Sequence, residues 1–322
     1  MKRMLSGIKP TGEMHIGNYF GALKQWVEMQ YEYDSFIFIP DYHALITVQD
    51  KNKMEELVYN TALNLLAIGI DPNQVTLYKQ SDIPAHTELC WIFNCLTTMP
   101  QLMRGHAFKD GEAKKKEVSV GLFDYPVLQA ADIALYDTEV VPVGEDQRQH
   151  IEMTREIVRK FNNTFGDTFI EPDEYIKEEV GTIVGSDGQK MSKSYGNQLS
   201  LFASEEETLE YIMAIPMDSK KVEEFKNPDE YTLYKIASLF CNKEQDVALR
   251  AMFSEGGVGY GEIKEHIARI INDYLREMRT RRVELAQNPE YIKQMLQEGA
   301  LKAQEIADHK MKEVREKIGF TL

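Results

Sequence analysis

The alternation of short apolar runs with longer amphipathic segments constrains the fold of this chain most strongly. Over the first two-thirds of the sequence the apolar runs are brief and typical of strands. They are Met4–Ile8, Ser35–Pro40, Val75–Gln80, Thr138–Val143 and Thr182–Gly185. Because strands that alternate with helices commonly pair in parallel through helical crossovers, the pattern predicts an α/β fold with a parallel sheet.

The segments between these runs carry apolar residues at helical spacing. Two such stripes consist of Ile16, Tyr19, Phe20, Leu23, Trp26 and Val27, and of Met54, Leu57, Val58, Ala62, Leu65 and Leu66. Within the first stripe, we expect Trp26 to be a core residue. After Leu201 strand-like runs largely stop, and a long stripe from Ile263 to Met278 predicts a helical carboxy-terminal part. The loop at 256–261 lacks a preceding strand and is not expected to bind nucleotide.

Composition narrows the class of protein. The chain has 322 residues, 43% of them hydrophobic; since single cores rarely grow past about 250–300 residues, two structural units are expected. Apolar runs such as Leu65–Ile68 fall far short of the roughly 20 residues that cross a bilayer. Lys9 and Pro10 interrupt the region where a signal peptide would be apolar. We therefore predict a cytoplasmic protein with no membrane partner.

The three cysteines, Cys90, Cys95 and Cys241, are odd in number and lack a paired metal-ligand spacing. This spacing supports neither a disulfide framework nor a zinc site. We expect them to be buried as small apolar residues.

Charge bears on a nucleic-acid partner. The formal net charge of −15 argues against non-specific binding, because Lys and Arg supply most of that affinity. Two basic clusters stand out locally: Lys109 with Lys114, Lys115 and Lys116, and Arg276 with Arg279, Arg281 and Arg282. Charge alone favours solvated surface for both clusters. An acidic protein with restricted basic faces can nevertheless bind RNA selectively.

Two segments carry residue types suited to phosphate chemistry. The stretch KMSKS at 190–194 follows a glycine-bounded turn, and the segment from Pro10 to Asn18 contains His15. Cutting ATP between its α- and β-phosphates develops negative charge, which lysines on a mobile loop can meet. The earlier segment reads as a strand, a turn and a helix whose first N–H groups can face the same phosphates. Together they predict an ATP site, although either alone is commonly ordinary loop.

In this order and spacing, the two segments resemble the HIGH and KMSKS signatures of class I aminoacyl-tRNA synthetases. Further segments narrow the resemblance to the bacterial-type tryptophanyl-tRNA synthetase family. They are SGIKPTG at 6–12, GNYFGAL at 17–23, DYHA at 41–44, YPVLQAADIALY at 125–136 and VPVGEDQRQH at 141–150. The similarity covers nearly the whole chain, with few motifs after Asn197.

The resemblance implies a Rossmann-type catalytic domain over 1–200 and an α-helical anticodon-binding domain over 201–289, with a final helix, about 290–322, that can pack back on the first domain. It also implies a homodimer. The tryptophan carboxylate would attack the α-phosphate of ATP, Mg²⁺-pyrophosphate would leave, and tRNA(Trp) would take the tryptophanyl group. Positioning and electrostatics suffice for such displacements. With only Cys241 in the carboxy-terminal part, the iron–sulfur cluster of some members is not expected.

Residue roles follow from the positions in these motifs. His15, Lys190 and Lys193 are the expected catalytic residues: the imidazole would contact the phosphates, and the lysines would neutralise the departing pyrophosphate. The expected ATP-binding residues are Lys9, Pro10, Thr11, Gly17, Asn18, Gly144, Glu145, Asp146, Val184, Lys190, Met191, Ser192, Lys193 and Ser194. Of these, Asp146 would accept hydrogen bonds from the ribose and Val184 would lie near the adenine. No protein metal site is predicted.

Recognition of tryptophan has its own physical logic. Indole offers one N–H donor and no acceptor, so its site needs a buried acceptor. By family position that acceptor is Asp132, one helical turn beyond Gln129. The other expected substrate residues are Gln129, Tyr125, His43, Val141, Val143, Gln147 and Gly7. An acceptor left unpaired by a wrong ligand would cost about 1–3 kcal/mol, which helps to reject phenylalanine.

Two residues depart from the family pattern. Gln129 lies where many tryptophan enzymes carry methionine, and Gln129 with Asp132 also resembles the phenol-binding pair of tyrosyl-tRNA synthetases. A phenol both donates and accepts, so a tyrosine–tRNA ligase is the alternative. Lys9 lies where glutamine is common, and we hypothesise that its charge strengthens ATP or carboxylate binding.

Two other classes use or retain a similar fold. A nucleotidylyltransferase shares the histidine-containing turn and chemistry at the α-phosphate, but it has no use for a separate helical RNA-binding unit. A synthetase-like RNA-binding regulator would be expected to have lost the phosphate-handling residues. This chain retains His15, Lys190 and Lys193, which favours the enzyme.

Overall fold

A computed structural model describes residues 1–104, 119–144, 147–176 and 183–321. Its contacts divide the chain into two compact units. The first comprises Met1–Gly12, Trp26–Lys177 and Leu285–Leu322, and the second comprises Glu13–Gln25 and Glu178–Glu284. The domain boundaries predicted from the sequence, at 200 and 289, stay a prediction.

The strands form one parallel sheet in the first unit. They are β1 (Arg3–Gly7), β2 (Asp34–Ile39), β3 (Val75–Lys79), β4 (Val140–Pro142) and β5 (Asp173–Tyr175). Their order across the sheet is β3-β2-β1-β4-β5, and every pairing is parallel. The three central residues of β1 and all residues of β2 after Asp34 are buried, as expected for strands covered on both faces. The predicted α/β class and its first four strands are confirmed.

The fifth predicted strand is wrong. Thr182 lies outside the described residues, and Val184 makes only an isolated antiparallel bridge with Lys190. Residues 183–185 therefore belong to a hairpin. The strand that completes the sheet is β5, whose sequence Asp-Glu-Tyr is polar and only partly buried. Such a short edge strand has no apolar run by which the sequence could reveal it.

The α-helices follow in chain order. They are α1 (Ile16–Asn18), α2 (Lys24–Met29), α3 (Asp41–Leu45), α4 (Lys51–Ala67), α5 (Ala85–Asn94), α6 (Met99–Leu102), α7 (Val120–Ala134), α8 (Arg148–Phe165), α9 (Glu205–Ala214), α10 (Thr232–Ala237), α11 (Lys243–Ser254), α12 (Tyr260–Ala286) and α13 (Pro289–Ile318). A π-helical turn, Tyr19–Leu23, joins α1 to α2. The predicted helical stripes are confirmed by α1–α2, α4 and α12.

The core of the first unit lies between the sheet and its helices. Trp26 is 3% exposed, which confirms it as a core residue. The carboxy-terminal helix α13 packs directly on β3: a Cβ built on Gly299 would lie only 1.8 Å from the carbonyl oxygen of Leu77. Only glycine allows two backbones to approach so closely. The prediction of buried cysteines is wrong: Cys95 is exposed, and Cys90 and Cys241 are only partly buried. All three cysteines are free thiols.

The second unit is built around an aromatic cluster. Phe20 packs edge-to-face on Phe240 with ring centroids 4.9 Å apart, and Tyr274 of α12 lies 5.2 Å from Phe240. On the buried face of α12, Ile263, Ile267 and Ile271 are fully enclosed.

Of the two basic clusters noted in the sequence, one lies outside the described residues and the other lies within them. The cluster of Lys109 with Lys114–Lys116 lies outside the described residues. In the other, each arginine contacts its own unit: Arg276 binds Asp273, Arg279 binds Asn272 and Thr208, Arg281 binds Glu277, and Arg282 lies over the Phe202 ring.

Candidate active site

In the second unit, the chain around His15 is held by a short antiparallel pairing. Residues 14–16 bond to residues 199–201 through two backbone hydrogen bonds of 2.9 and 3.0 Å. His15 lies opposite Ser200 in this pairing. The His15 segment is therefore fixed to the chain that directly follows the 190–194 loop, and two motifs distant in sequence are joined by the backbone.

The His15 imidazole lies against Gly17. A Cβ at Gly17 would lie 2.8 Å from Nδ1 of His15 and 3.4 Å from the Cβ of Met191. A side chain there would displace the imidazole, so glycine is required at this position. Burial, and then the positive charge of Lys193, lower the pKa of His15 to about 4. The ring is thus neutral near pH 7, with one nitrogen able to donate a hydrogen bond.

The loop at 190–194 extends from a tight hairpin. Met191 N–H donates to the carbonyl of Ile183 at 2.8 Å, and Gly185 N–H donates to the carbonyl of Gln189 at 2.8 Å. Lys190, on the hairpin, and Lys193, just after it, are exposed, and Ser194 N–H donates to Ser192 Oγ at 3.2 Å. The predicted cationic side chains therefore face solvent, while Met191 anchors the loop in the interior.

In the first unit, Asp132 is the centre of a buried hydrogen-bond network. It lies on α7 and is 1% exposed. Oδ1 of Asp132 accepts from Gln80 Nε2 and from His86 Nδ1, both at 2.7 Å. Oδ2 accepts from His43 Nε2 at 2.8 Å. A buried carboxylate with this many donors is strongly held in one orientation.

Electrostatics keeps this carboxylate ionised. Burial alone would raise the pKa of Asp132, but hydrogen bonds from His43 and His86 outweigh it and lower the pKa to about 2. Because an ionised carboxylate only accepts, His86 Nδ1–H donates to Asp132. The other ring nitrogen of His86, Nε2, shares a 2.9 Å hydrogen bond with the hydroxyl of Tyr136.

Aromatic rings continue the site from His43. The rings of His43 and Tyr125 lie edge-to-face at 6.2 Å, and the Tyr125 hydroxyl shares a 2.6 Å hydrogen bond with His150 Nε2. Burial raises the pKa of Tyr125. Three of the predicted substrate residues, Asp132, His43 and Tyr125, are thus in one chain of contacts.

The remaining predicted residues of the first unit lie where strands end. Gly7 ends β1, and a Cβ there would lie 2.8 Å from the Phe38 ring. Val141 is buried within β4, and Val143 and Gly144 follow that strand. The order of the sheet reverses between β1 and β4, and ligands of such folds bind beyond the carboxyl ends of strands at this point.

The other predicted residues of the first unit are described by their burial and by contacts with residues close in sequence. Gln129 is half-buried one turn before Asp132, and Gln147 N–H donates to the carbonyl of Gly144 at 2.9 Å. The pKa of Lys9 is lowered by burial. Next to it, Pro10 is buried, and Thr11 N–H donates to the carbonyl of Lys9 at 2.9 Å. Of the ATP-binding set, Glu145 and Asp146 lie outside the described residues. In the second unit, the side chain of Asn18 accepts from His15 N–H at 3.1 Å.

Sequence reasoning missed five residues that hold the site. They are Gln80, His86, Tyr136, His150 and Asn197. Gln80 follows directly after β3, and a polar residue at the end of a buried strand was a usable signal. Tyr136 and His150 fall inside the family segments without a role there, and His86 lies within an apolar helix whose pattern gives no warning of a polar network.

The chain is similar to known proteins over most of its length. The model of the class I tRNA synthetases for tryptophan and tyrosine (W and Y) matches residues 1–276. A tryptophan–tRNA ligase of Fusobacterium nucleatum is 46% identical over 99% of this chain and 98% of its own length. The chain belongs to the tryptophan–tRNA ligase family. The predicted resemblance is confirmed.

Solved structures agree with this assignment. The tryptophanyl-tRNA synthetase of Campylobacter jejuni, crystallised with ADP and tryptophan, shares 43% identity and a TM-score of 0.93, covering 98% of this chain and 99% of its own. A tyrosyl-tRNA synthetase of Archaeoglobus fulgidus is 22% identical with a TM-score of 0.66, covering 87% of this chain and 90% of its own. That likeness shows the fold alone. The tyrosine alternative therefore gains no support.

Within the described ranges, no helix combines the length and the apolar character needed to cross a bilayer.

Proposed function

We propose that this chain activates L-tryptophan with ATP to tryptophanyl-adenylate, releasing pyrophosphate, and then transfers the tryptophanyl group to tRNA(Trp). The observation that carries the proposal is the fixed pairing of the His15 segment with the chain after the 190–194 loop. It keeps a neutral imidazole and two lysines in one unit, where both can serve the same triphosphate.

Activation requires stabilisation of charge that develops on phosphate oxygens. Neutral His15 donates one hydrogen bond without adding a charge that would hold the product too tightly. Lys190 and Lys193 supply the positive charge that meets the leaving pyrophosphate. Because both lysines are exposed on a hairpin, they can follow the phosphates as the bond breaks. No enzyme nucleophile is needed, since the tryptophan carboxylate attacks the α-phosphate directly.

Recognition of the indole rests on Asp132. Its Oδ1 already accepts from Gln80 and His86, so the indole N–H would bind to Oδ2, beside His43 or in its place. A carboxylate oxygen has two lone pairs, and an ionised carboxylate only accepts. This chemistry favours indole, which only donates, over a side chain that offers no donor.

The remaining partners follow from the same reaction. Mg²⁺ enters with ATP, because this ion is commonly held through substrate phosphates rather than by a protein cage; it would neutralise charge on the pyrophosphate. We propose that the chain catalyses this reaction in the cytoplasm. A homodimer is proposed as well; its partner subunit would cover exposed apolar residues of the first unit, among them Trp91 at 70%, Met99 at 58% and Val120 at 80% exposure.

ATP–pyrophosphate exchange tests the proposal. The purified chain with Mg²⁺ is assayed with tryptophan, with tyrosine and with no amino acid. We expect exchange only with tryptophan. Exchange only with tyrosine would reverse the specificity, and exchange without any amino acid would favour a nucleotidylyltransferase. Silence under all three conditions, in a folded chain that binds RNA, would favour the regulator.

A further inference from the structure

The loop at 190–194, called the lysine loop below, is held at its base by one buried side chain. Asn197 is 2% exposed, follows the loop directly, and was assigned no role by motif. Its Oδ1 accepts from Ser192 N–H at 2.9 Å. Its Nδ2 donates to Asp187 Oδ1 at 2.7 Å and to the carbonyl of Lys190 at 3.3 Å. One amide thus bonds to the turn before the loop and to two residues within it.

The backbone of Asn197 is fixed from the other side. Its carbonyl accepts from Ser186 N–H at 3.1 Å and from the Tyr211 hydroxyl at 2.8 Å. Tyr211 lies on α9, so the amide is held against a regular helix. These contacts satisfy the carbonyl and the side chain of a residue that water scarcely reaches.

The glycine at 185 makes room for this arrangement. A Cβ there would lie 2.3 Å from Cγ of Asn197 and 2.5 Å from its Nδ2, distances that no side chain could tolerate. Gly188 has φ of +79° in the same turn, which other residues rarely adopt. Gly185 therefore makes room for the Asn197 amide, and Gly188 allows the turn that carries Asp187.

We infer that Asn197 is the positioning residue of the lysine loop: through Asp187, Lys190 and Ser192 its amide fixes where Lys190 and Lys193 leave the hairpin. This role rests on the proposed function, because it concerns lysines that act on the phosphates. Asn197 itself need not contact substrate. Loss of its hydrogen bonds would leave tryptophan binding intact and would lower the rate of activation.

A swap of side chains tests the inference. Asn197→Asp retains the shape and the acceptor for Ser192 but removes the donor and sets two carboxylates together. Asp187→Asn in the same chain restores a donor–acceptor pair with its direction reversed. We expect Asn197→Asp to lower the maximal exchange rate at least about tenfold, with the KM for tryptophan changed by less than about threefold. The double variant should recover part of the loss, because the donor to the carbonyl of Lys190 stays absent.

A second readout needs no substrate. Trypsin cleaves after lysine, and we expect cleavage within 190–194 to accelerate at least about tenfold in Asn197→Asp and to return towards the wild-type rate in the double variant. Asn73→Asp is the matched control, because Asn73 Nδ2 also donates to an aspartate, Asp71, at 2.9 Å, on the exposed surface of the first unit. It should leave both readouts unchanged.

The results that would overturn the positioning role of Asn197 differ from those that would overturn the proposed function. Unchanged loop cleavage in Asn197→Asp, or a double variant no better than the single one, would overturn the positioning role even if exchange occurs. If Asn197→Asp does not fold, Asp187→Ala at an exposed residue replaces it, and unchanged cleavage there would overturn the inference. A chain without tryptophan-dependent exchange would overturn the proposed function, while the cleavage rates would still decide this one.

Discussion

The Asp132 network and the lysine loop differ in burial, in the sign of their charge and in the task that each can perform. Asp132 is buried, ionised and surrounded by three donors, which suits recognition of a fixed N–H group. Lys190 and Lys193 are exposed on a hairpin that one buried amide holds at its base. A rigid acceptor selects a ligand, whereas exposed cations on long side chains can follow charge that moves during the reaction. The two regions also belong to different compact units, so recognition and activation should respond separately to substitution.

The largest expected effect comes from the loop. Lys193→Ala removes a cation that stabilises the departing pyrophosphate, and we expect the maximal rate of exchange to fall about 100- to 1,000-fold. Tryptophan affinity, measured by equilibrium binding, should change by less than about threefold. Lys243→Ala, an exposed lysine at the start of α11, is the control. Equal losses of rate and affinity would mean that the loop does not have the role assigned to it.

The next effect comes from the network. Asp132→Asn turns a charged acceptor into an amide that faces three donors, and we expect tryptophan to bind about 10- to 100-fold more weakly. Binding of ATP alone should be unaffected. Asp124→Asn, on the same helix and hydrogen-bonded to Asn94, serves as the matched substitution. Undiminished tryptophan affinity in Asp132→Asn would remove the indole from this carboxylate.

A third prediction concerns stability as pH changes. The pKa of His15 is lowered from the ordinary histidine value of 6.5 to about 4 in the folded chain. Between these two pH values, His15 is therefore mostly protonated in the unfolded chain and mostly neutral in the folded chain. Stability therefore falls as the pH drops from 6.5 to 4, and His15→Gln should remove about 1–3 kcal/mol of that fall. Denaturant unfolding at several pH values measures it. His309→Gln, at an exposed site, should retain the wild-type dependence; an unaltered dependence in His15→Gln would contradict the burial of a neutral ring.

The smallest effect is expected at Lys9. Nearby protein atoms partly desolvate the Lys9 ammonium and lower its pKa, but the residue as a whole is exposed. The loss of its charge in Lys9→Gln should therefore weaken ATP binding only about two- to fivefold, and less at high salt. Titration with ATP at two ionic strengths measures the change, with Lys2→Gln as the control. An identical affinity in wild type and Lys9→Gln would remove the main support for a role of this charge.

Much of the fold could be predicted because it depends on periodicity. β1, β2, β3 and the long helices α4 and α12 carry apolar patterns that only one kind of element satisfies. β5 could not be predicted, because three polar residues at a sheet edge owe their conformation to the neighbouring strand. The apolar pattern predicts a sheet strand at Thr182–Gly185, but a short apolar run does not distinguish a sheet strand from one arm of a hairpin.

The functional residues, too, differ in how far the sequence predicts them. His15, Asp132 and the lysines follow from motif positions, since the chemistry depends on their side chains. The residues that hold them, such as His86 and Asn197, act through contacts with residues distant in sequence or through backbone atoms. Nothing in the local sequence marks His86 as a partner of Asp132, which lies 46 positions later. Such supporting residues become visible only when the fold brings them together.

The separation of recognition from activation is tested most directly by single-turnover formation of tryptophanyl-adenylate. The rate is measured against tryptophan concentration for the wild type, Lys193→Ala and Asp132→Asn. We expect Lys193→Ala to lower the maximal rate at an unchanged half-saturating concentration, and Asp132→Asn to raise the half-saturating concentration with a far smaller loss of maximal rate. Two variants that lower the rate and weaken saturation to the same extent would contradict the separation.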